Sequence, residues 1–562
     1  MFSKSRDDAT VDDREFVPGT THLVDVEGIL NVKKKSVEGD VILHPQPTSN
    51  VNDPLTWSKK KKYLQFALIW FWGFMLAVST NFSGPLFVTW VDEWNTTFGM
   101  MGVTVAVSFI FLGVGVCVVQ PTALKVGKQF CYNCGTILAI ISCIFGAFSK
   151  NIGYLIAFNV LTGLAAAPVD SLLEASSTDL FFRHERSTAF SLVVLALYAG
   201  SFLGPVAAGY ITDNLHWKWC FYIQIMIYVP LLVAQVFWME ETSFRRDEND
   251  EEVLEEGILS QIHTIKSGGG ISQVESKILR NNKEIGDVDV AASEKSSVSS
   301  SVPYTWLQKR NWIHTEQNDP RSWLSIFTRP IFLISFPAVI WAGVVYGFQM
   351  CWLSLLTNTQ ALIYESEPYN FSVESTGLTN LAVFVGNVVG MIYGGNFVDW
   401  FSVKMARRNN GIMEPEHRLH TMVVPTLINA GGILAYGLGS YYGDHWAISV
   451  VIGQGFMGFA MSSSGAVCLV YAVECYEKLT NETLVLILFM RNMISVGFNF
   501  GISPWITNQG LMGSTYVMFA LSLAINGSYL IFVIWGKDMR RWTRKRYDKI
   551  SDPLYGEVFN RK

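Results

Sequence analysis

Twelve runs of apolar residues dominate the chain, near 64–85, 102–121, 134–149, 152–173, 188–211, 220–239, 331–356, 376–398, 419–440, 446–472, 484–506 and 514–535. Each is close to the roughly 20 residues that a helix needs to cross a hydrocarbon core. Inside lipid the backbone must satisfy its own hydrogen bonds, so runs of this length fold as helices. Composition agrees: 50% of the 562 residues are hydrophobic and 16% charged, against about 25% charged in a soluble domain. The expectation is an all-α membrane protein of twelve transmembrane helices in two pseudo-symmetric six-helix bundles, with the lipid bilayer as its first partner.

The spans divide into an N-terminal bundle at 63–240 and a C-terminal bundle at 331–536. Between them, 241–330 contains SGGGISQVESKILRNNKEIGDVDVAASEKSSVSSSVP, too polar to build a core and expected to be disordered. Residues 1–62 form a polar tail without the apolar core of a signal peptide, and 537–562 a basic one. Basic residues set the orientation. Lys59–Lys62, Lys125, Lys128, Arg183, Arg186, Lys404, Arg407, Arg408 and MRRWTRKR (539–546) share one side, whereas the opposite short loops hold only Lys150 and Lys218. Both termini are therefore expected in the cytoplasm, with the sequons at Asn95 and Asn370 outside.

Net charge is −5 and no basic domain stands out, so no nucleic-acid partner is expected. No GxxxxGK[ST] loop is present, the nine histidines are scattered, and CYNC at 131–134 is a lone pair of cysteines. Neither an enzyme, a metal site nor a cofactor is expected, and a monomer suffices.

The most informative residues are charges inside the spans. In LTGLAAAPVDSLLEASSTDLFF (161–182), Asp170 and Glu174 follow a run of small residues. A carboxylate at such depth costs on the order of 3 kcal/mol unless something compensates it. At 100° per residue Asn159, Gly163 and Asp170 share one stripe, with Glu174 about 40° aside. The flanking alanines leave room for something bulky, and a cation neutralising two acids one turn apart is the functional reading; a solvated helix end is the plain one for Glu174. In the seventh span Tyr346 and Gln349 share a face, with Trp341, Phe348 and Trp352 on another, and aromatics can hold an alkylammonium. Tyr471 and Glu474 close the tenth span, where Glu474 is either an inner gate or a helix end. Arg491 and Asn492 lie inside the eleventh span, and Glu474 is the expected counter-ion of Arg491.

The fifth span reads YAGSFLGPVAAGY, with Gly200, Gly204, Pro205 and Gly209. This resembles the antiporter signature of the drug:proton branch of the major facilitator superfamily; its glycines let a neighbouring helix approach. A second signature is divided between the halves: QPTALKVGKQF keeps Gly127 and Lys128, and GGNFVDWFS keeps Gly395 and Asp399. Gln120 and Leu124 replace the usual Gly and Asp, and the second copy lacks the later Gly-Arg part, so the resemblance implies two related halves and not the full charge-relay latch. NDPLTWSKKKKY, DLFFRHER, WKWCFYIQI, RRNNGIMEPEHRL and RNMISVGFNFGISPWI look like the fungal part of this branch. Together they resemble the yeast polyamine and histidinol uptake carrier group. Asn159 stands where the drug branch often has an arginine.

The resemblance implies the major facilitator fold, a plasma-membrane location and alternating access. It implies import of polyamines such as spermidine or putrescine, or related organic cations, coupled to protons or membrane potential. Asp170, Glu174, Asn159, Tyr346, Gln349, Trp341 and Tyr471 are the expected substrate contacts, and Asp170, Glu474 and Arg491 the expected coupling or gating groups. Export of cationic hydrophobic drugs against protons is the alternative.

Overall fold

The computed structural model describes residues 21–22, 53–181, 183–243, 321–409 and 412–551. Among the described residues, eleven helical stretches are long and apolar enough to cross a membrane. The last, Glu477–Ser551, is too long for one crossing, and Gly510 breaks it with a non-helical backbone (φ +75°) that only glycine adopts without strain. Counting both arms gives twelve crossings, as the apolar runs require.

Sequence-local rules set several boundaries. The Thr97 and Asn151 side chains cap the second span (Phe98–Val126) and the fourth (Ile152–Leu180), each accepting from a backbone N–H of the first turn. The first span is Lys59–Asn81, the fifth Arg183–Asn214 and the seventh Pro337–Tyr364. The eighth runs from Asn380 to Arg408 through a wide turn at Tyr393–Phe397. The ninth is Val423–Tyr442, and the tenth Ile448–Cys475. Lys59, Lys128, Lys404 and Arg418 lie at one end of the bundle, here the basic face. Asp92, Asp213, Glu365 and Glu374 lie at the other, the acidic face.

Each half has its own core. Trp72, Trp90, Trp217 and Tyr132 anchor the first, and Trp341, Tyr471 and Tyr476 the second. Two further clusters join the halves. Tyr198 and Phe202 of the fifth span pack with Trp352 and Met461, and Leu112, Val116, Ala166 and Ala167 pack with Val485 and Leu488. The seams are thus second span against eleventh, and fifth span against eighth and the short helix Val373–Leu378.

The glycine-proline stretch of the fifth span works by close approach. A Cβ on Gly200 would stand 2.3 Å from the Phe74 carbonyl oxygen of the first span, and one on Gly209 2.8 Å from the Val373 oxygen of the other half.

Three boundaries differ from expectation. The end of the linker is helical: WLSIFTRPIF forms Trp323–Phe332, because its apolar residues recur at helical spacing. The Trp323 indole lies 3.4 Å from Thr122 Oγ1 of the first half, and Arg321 and Arg329 reach Glu482 of the second at 3.3 and 3.5 Å. The remainder of the linker, 244–320, falls outside the described residues. At the basic tail, the twelfth span continues as helix to Ser551, held by Arg540 against Glu416 and Lys537 against Glu414. Of the N-terminal tail before Asp53, only Thr21–His22 is described, paired with Ile412–Met413 of the loop after the eighth span.

Gly200→Leu should lower the melting temperature of the purified protein by the equivalent of about 1–3 kcal/mol, the usual cost of overpacking. A Cβ on Gly497 would meet nothing within 4 Å, which makes this position the control: Gly497→Ala should not lower the melt.

Candidate functional site

The fourth span places its small residues against neighbours. A Cβ on Gly163 would lie 2.4 Å from the Ser108 oxygen, and one on Gly115 would lie 2.6 Å from the Ala167 methyl. These residues therefore bring the second span close, correcting the expectation that they leave space for a bulky ligand. Asn159 is also elsewhere: it lies eleven residues, roughly 16 Å of helix rise, from Asp170, and its amide donates to Leu155 O of its own helix at 2.9 Å.

The tight contact with the second span leaves Asp170 facing the eleventh. There its carboxylate is paired with Arg491, linking the two halves through a pair whose side chains are only 11% and 5% exposed. The guanidinium is held on every side. Its Nε and Nη2 donate to Asn492 Oδ1 at 3.3 and 3.2 Å, and Nη1 donates to Tyr346 OH at 3.2 Å. Its carbon also lies 5.0 Å from the Tyr346 ring centre. Glu174, one turn toward the basic face, is within electrostatic reach of both Asp170 and Arg491, and among the described residues it makes no ion pair. Tyr198 flanks the group, its hydroxyl donating to Met461 O at 3.4 Å.

This pairing corrects the expected Arg491–Glu474 contact. Glu474 instead accepts from Arg418 Nε at 3.0 and 2.9 Å, and Arg418 Nη1 reaches Asp399 at 2.5 Å. In the first half Lys128 pairs with Asp179 at 2.5 Å. Both halves thus carry a charged latch on the basic face, although Gln120 and Leu124 replace the usual residues of the signature loop. The reason is that the partners come from outside the signature loop: Asp179 from the fourth span, Arg418 from the helix before the ninth. Gly127 ends the second span at φ +117°, turning Lys128 into that latch, and Gly395 lies in the wide turn before Asp399.

The other expected wall residues are not beside Asp170. Gln349 donates to Asn526 at 2.9 Å, and the Trp341 indole donates to Ser528 at 2.7 Å. Trp341 also packs edge-on against Tyr471 inside the second bundle. Only Tyr346 of that set reaches the central pair. Tyr198 and Arg418 are partners that the sequence does not single out. The signal for Arg418 was a lone arginine opening a span; for Tyr198, a polar ring one turn before the Gly-Pro stretch gave none specific to this role.

At the acidic face the halves also touch. The Glu374 N–H donates to Asp213 at 3.1 Å. Glu365, just beyond the seventh span, sits among Thr376, Asp213 and Asp92; burial first, then those two acids, push its carboxyl up to about 7 despite the Thr376 hydroxyl.

Two six-span halves, joined on two seams and bridged by a buried ion pair, define a two-domain membrane transporter. The Major Facilitator Superfamily profile matches residues 69–473, and the chain belongs to that superfamily. It is 27% identical to an uncharacterized MFS-type transporter of Schizosaccharomyces pombe, covering 95% of this chain and 94% of that one. It is 26% identical to the protein HOL1 of Saccharomyces cerevisiae, covering 95% and 97%. It is 24% identical to the multidrug transporter TPO1_2 of Candida glabrata, over 68% and 58%. Among solved structures, the proton:xylose symporter XylE bound to 6-bromo-6-deoxy-D-glucose superposes with TM-score 0.54 at 13% identity, covering 85% and 97% of the two chains. That likeness is one of fold.

A carboxyl held at a raised value stabilises the folded protein while protonated, and that contribution is lost as pH rises from its ordinary range through about 7. The melting temperature of wild type should therefore fall between pH 5 and 8 by more than that of Glu365→Gln. Parallel pH profiles for the two proteins would contradict the assignment.

Proposed function

We propose that the protein imports small organic cations, with polyamines such as spermidine and putrescine as the leading class, across the plasma membrane by alternating access. The observation that carries this reading is the Asp170–Arg491 pair. An ionisable residue beneath lipid pairs with another group or faces a cavity, and Asp170 pairs with a cation from the opposite half of the molecule. An ammonium arriving at Asp170 supplies the same charge, so it competes with Arg491 and loosens the contact between halves. Protons compete for the carboxylate in the same way, which would couple their movement to that of the cargo. Tyr346, already bearing a guanidinium on its ring, offers a second cation contact.

In this reading the basic face, with both chain termini, is cytoplasmic. Membrane potential, at about 2.3 kcal/mol per charge per 100 mV, then favours entry of a multiply charged amine. The fungal resemblance of the motif stretches supports the same substrate class. Export of hydrophobic cationic drugs is the second reading, favoured by the glycine-proline signature at Gly200–Gly209 and by the name of the Candida glabrata relative.

Radiolabelled spermidine uptake in cells with and without the chain tests the proposal. Expression should raise saturable uptake, and Asp170→Asn at equal surface amount should lower it at least tenfold, the loss of one charged contact. Normal uptake by Asp170→Asn would overturn the site, and lowered drug accumulation without amine uptake would favour export.

A further inference from the structure

The second acid needs its own explanation. Glu174 lies one turn from Asp170, and its neighbours in the field are Asp170 on its own helix, Arg491 on the eleventh span and Tyr346 on the seventh. Among the described residues it has no cationic partner within ion-pair distance, whereas Asp170 has Arg491. A second ligand for the cargo is the obvious role. The surroundings of Arg491 suggest a different one.

If an ammonium takes Asp170, the guanidinium loses its counter-charge while still buried, and removing one member of a buried pair is strongly destabilising because the other is left uncompensated. Arg491 is already buried, and its partner Tyr346 packs against an apolar cluster of Leu112, Val116, Ala166, Ala167, Val485 and Leu488, so reaching water would mean opening that packing. The arginine needs another carboxylate within the span of its own side chain. Glu174 is the acid at the right depth.

The remaining contacts of Arg491 fit a pivot. Asn492 Oδ1 accepts from two of its nitrogens, and the Tyr346 hydroxyl accepts from a third. None of these involves Asp170, so they hold the guanidinium while its carboxylate partner changes. Tyr346 itself lies within electrostatic range of both acids.

We infer that Arg491 alternates between two carboxylate seats, Asp170 when no cation is bound and Glu174 when a cation occupies Asp170. Glu174 is then a positioning residue that acts through Arg491, and the cargo touches Asp170. Before loading one cation stands against the two acids, and after loading two cations stand against two, so the loaded state is the one in which each acid has its own cation. The inference rests on the reading of Asp170 as the cation site, and it explains why the chain keeps two acids where one would hold a single ammonium.

A double-mutant cycle on purified full-length protein, read by radiolabelled spermidine binding, separates the two roles. Asp170→Asn is measured alongside. Exchange predicts that Glu174→Gln weakens spermidine binding about tenfold when Arg491 is present and less than twofold in the Arg491→Gln background, where there is no arginine to seat. A direct ligand role predicts the same loss in both backgrounds, and that result overturns the inference, as does an unweakened Glu174→Gln. Should the amide variant not yield folded protein, Glu174→Met runs the same cycle. Wild-type-like binding by Asp170→Asn, or no spermidine binding by wild type, would instead sink the underlying cation reading. Loss at Asp170→Asn with equal losses in the two Glu174 comparisons sinks the exchange alone.

Discussion

A charge placed beneath lipid must be matched by an opposite charge, and in this chain the match is made across the boundary between the two halves. Asp170 comes from the first half and Arg491 from the second. Small residues on the fourth span press it onto the second, and its carboxylate meets Arg491 of the eleventh. Aliphatic side chains from both halves pack together against Tyr346, the pair itself is nearly buried, and a drier setting strengthens every electrostatic interaction within it. The pair therefore belongs to neither bundle. Whatever competes for Asp170 also acts on the contact between them.

The two ends of the bundle carry opposite electrostatics. On the basic face, Lys128–Asp179 ties helices within the first half and Asp399–Arg418–Glu474 ties them within the second. The helix Trp323–Phe332 adds contacts to both halves. On the acidic face, the halves meet where the Glu374 N–H donates to Asp213, with Glu365 and Asp92 nearby. Cohesion on the basic face thus comes from complementary charges, whereas the acidic face carries the Glu365 carboxyl, which burial pushes up to about 7.

Most of the fold was legible because it follows from one rule, that apolar runs of membrane length become helices. The kink at Gly510 was implied by the gap between the last two runs, although the helix itself continues on both sides of it. The helix at Trp323–Phe332 was hidden because its apolar residues sit beside a strongly polar linker. At the site, Asp170, Arg491 and Tyr346 could each be picked out as polar groups at unfavourable depth. Their mutual pairing could not, because helix periodicity gives a face within one span and says nothing about which distant span that face meets. Glu474 shows the same limit: nearness in sequence suggested Arg491, and the fold supplied Arg418. Gln349 and Trp341 turned to the twelfth span for a related reason, since a buried amide or indole takes whichever acceptor its own bundle offers.

The most direct measurement is a structure of the protein with a bound polyamine. The account predicts an amine nitrogen within hydrogen-bonding distance, about 3 Å, of the Asp170 carboxylate, with Arg491 drawn away from it. An amine bound elsewhere, with Asp170 still joined to Arg491, would contradict it.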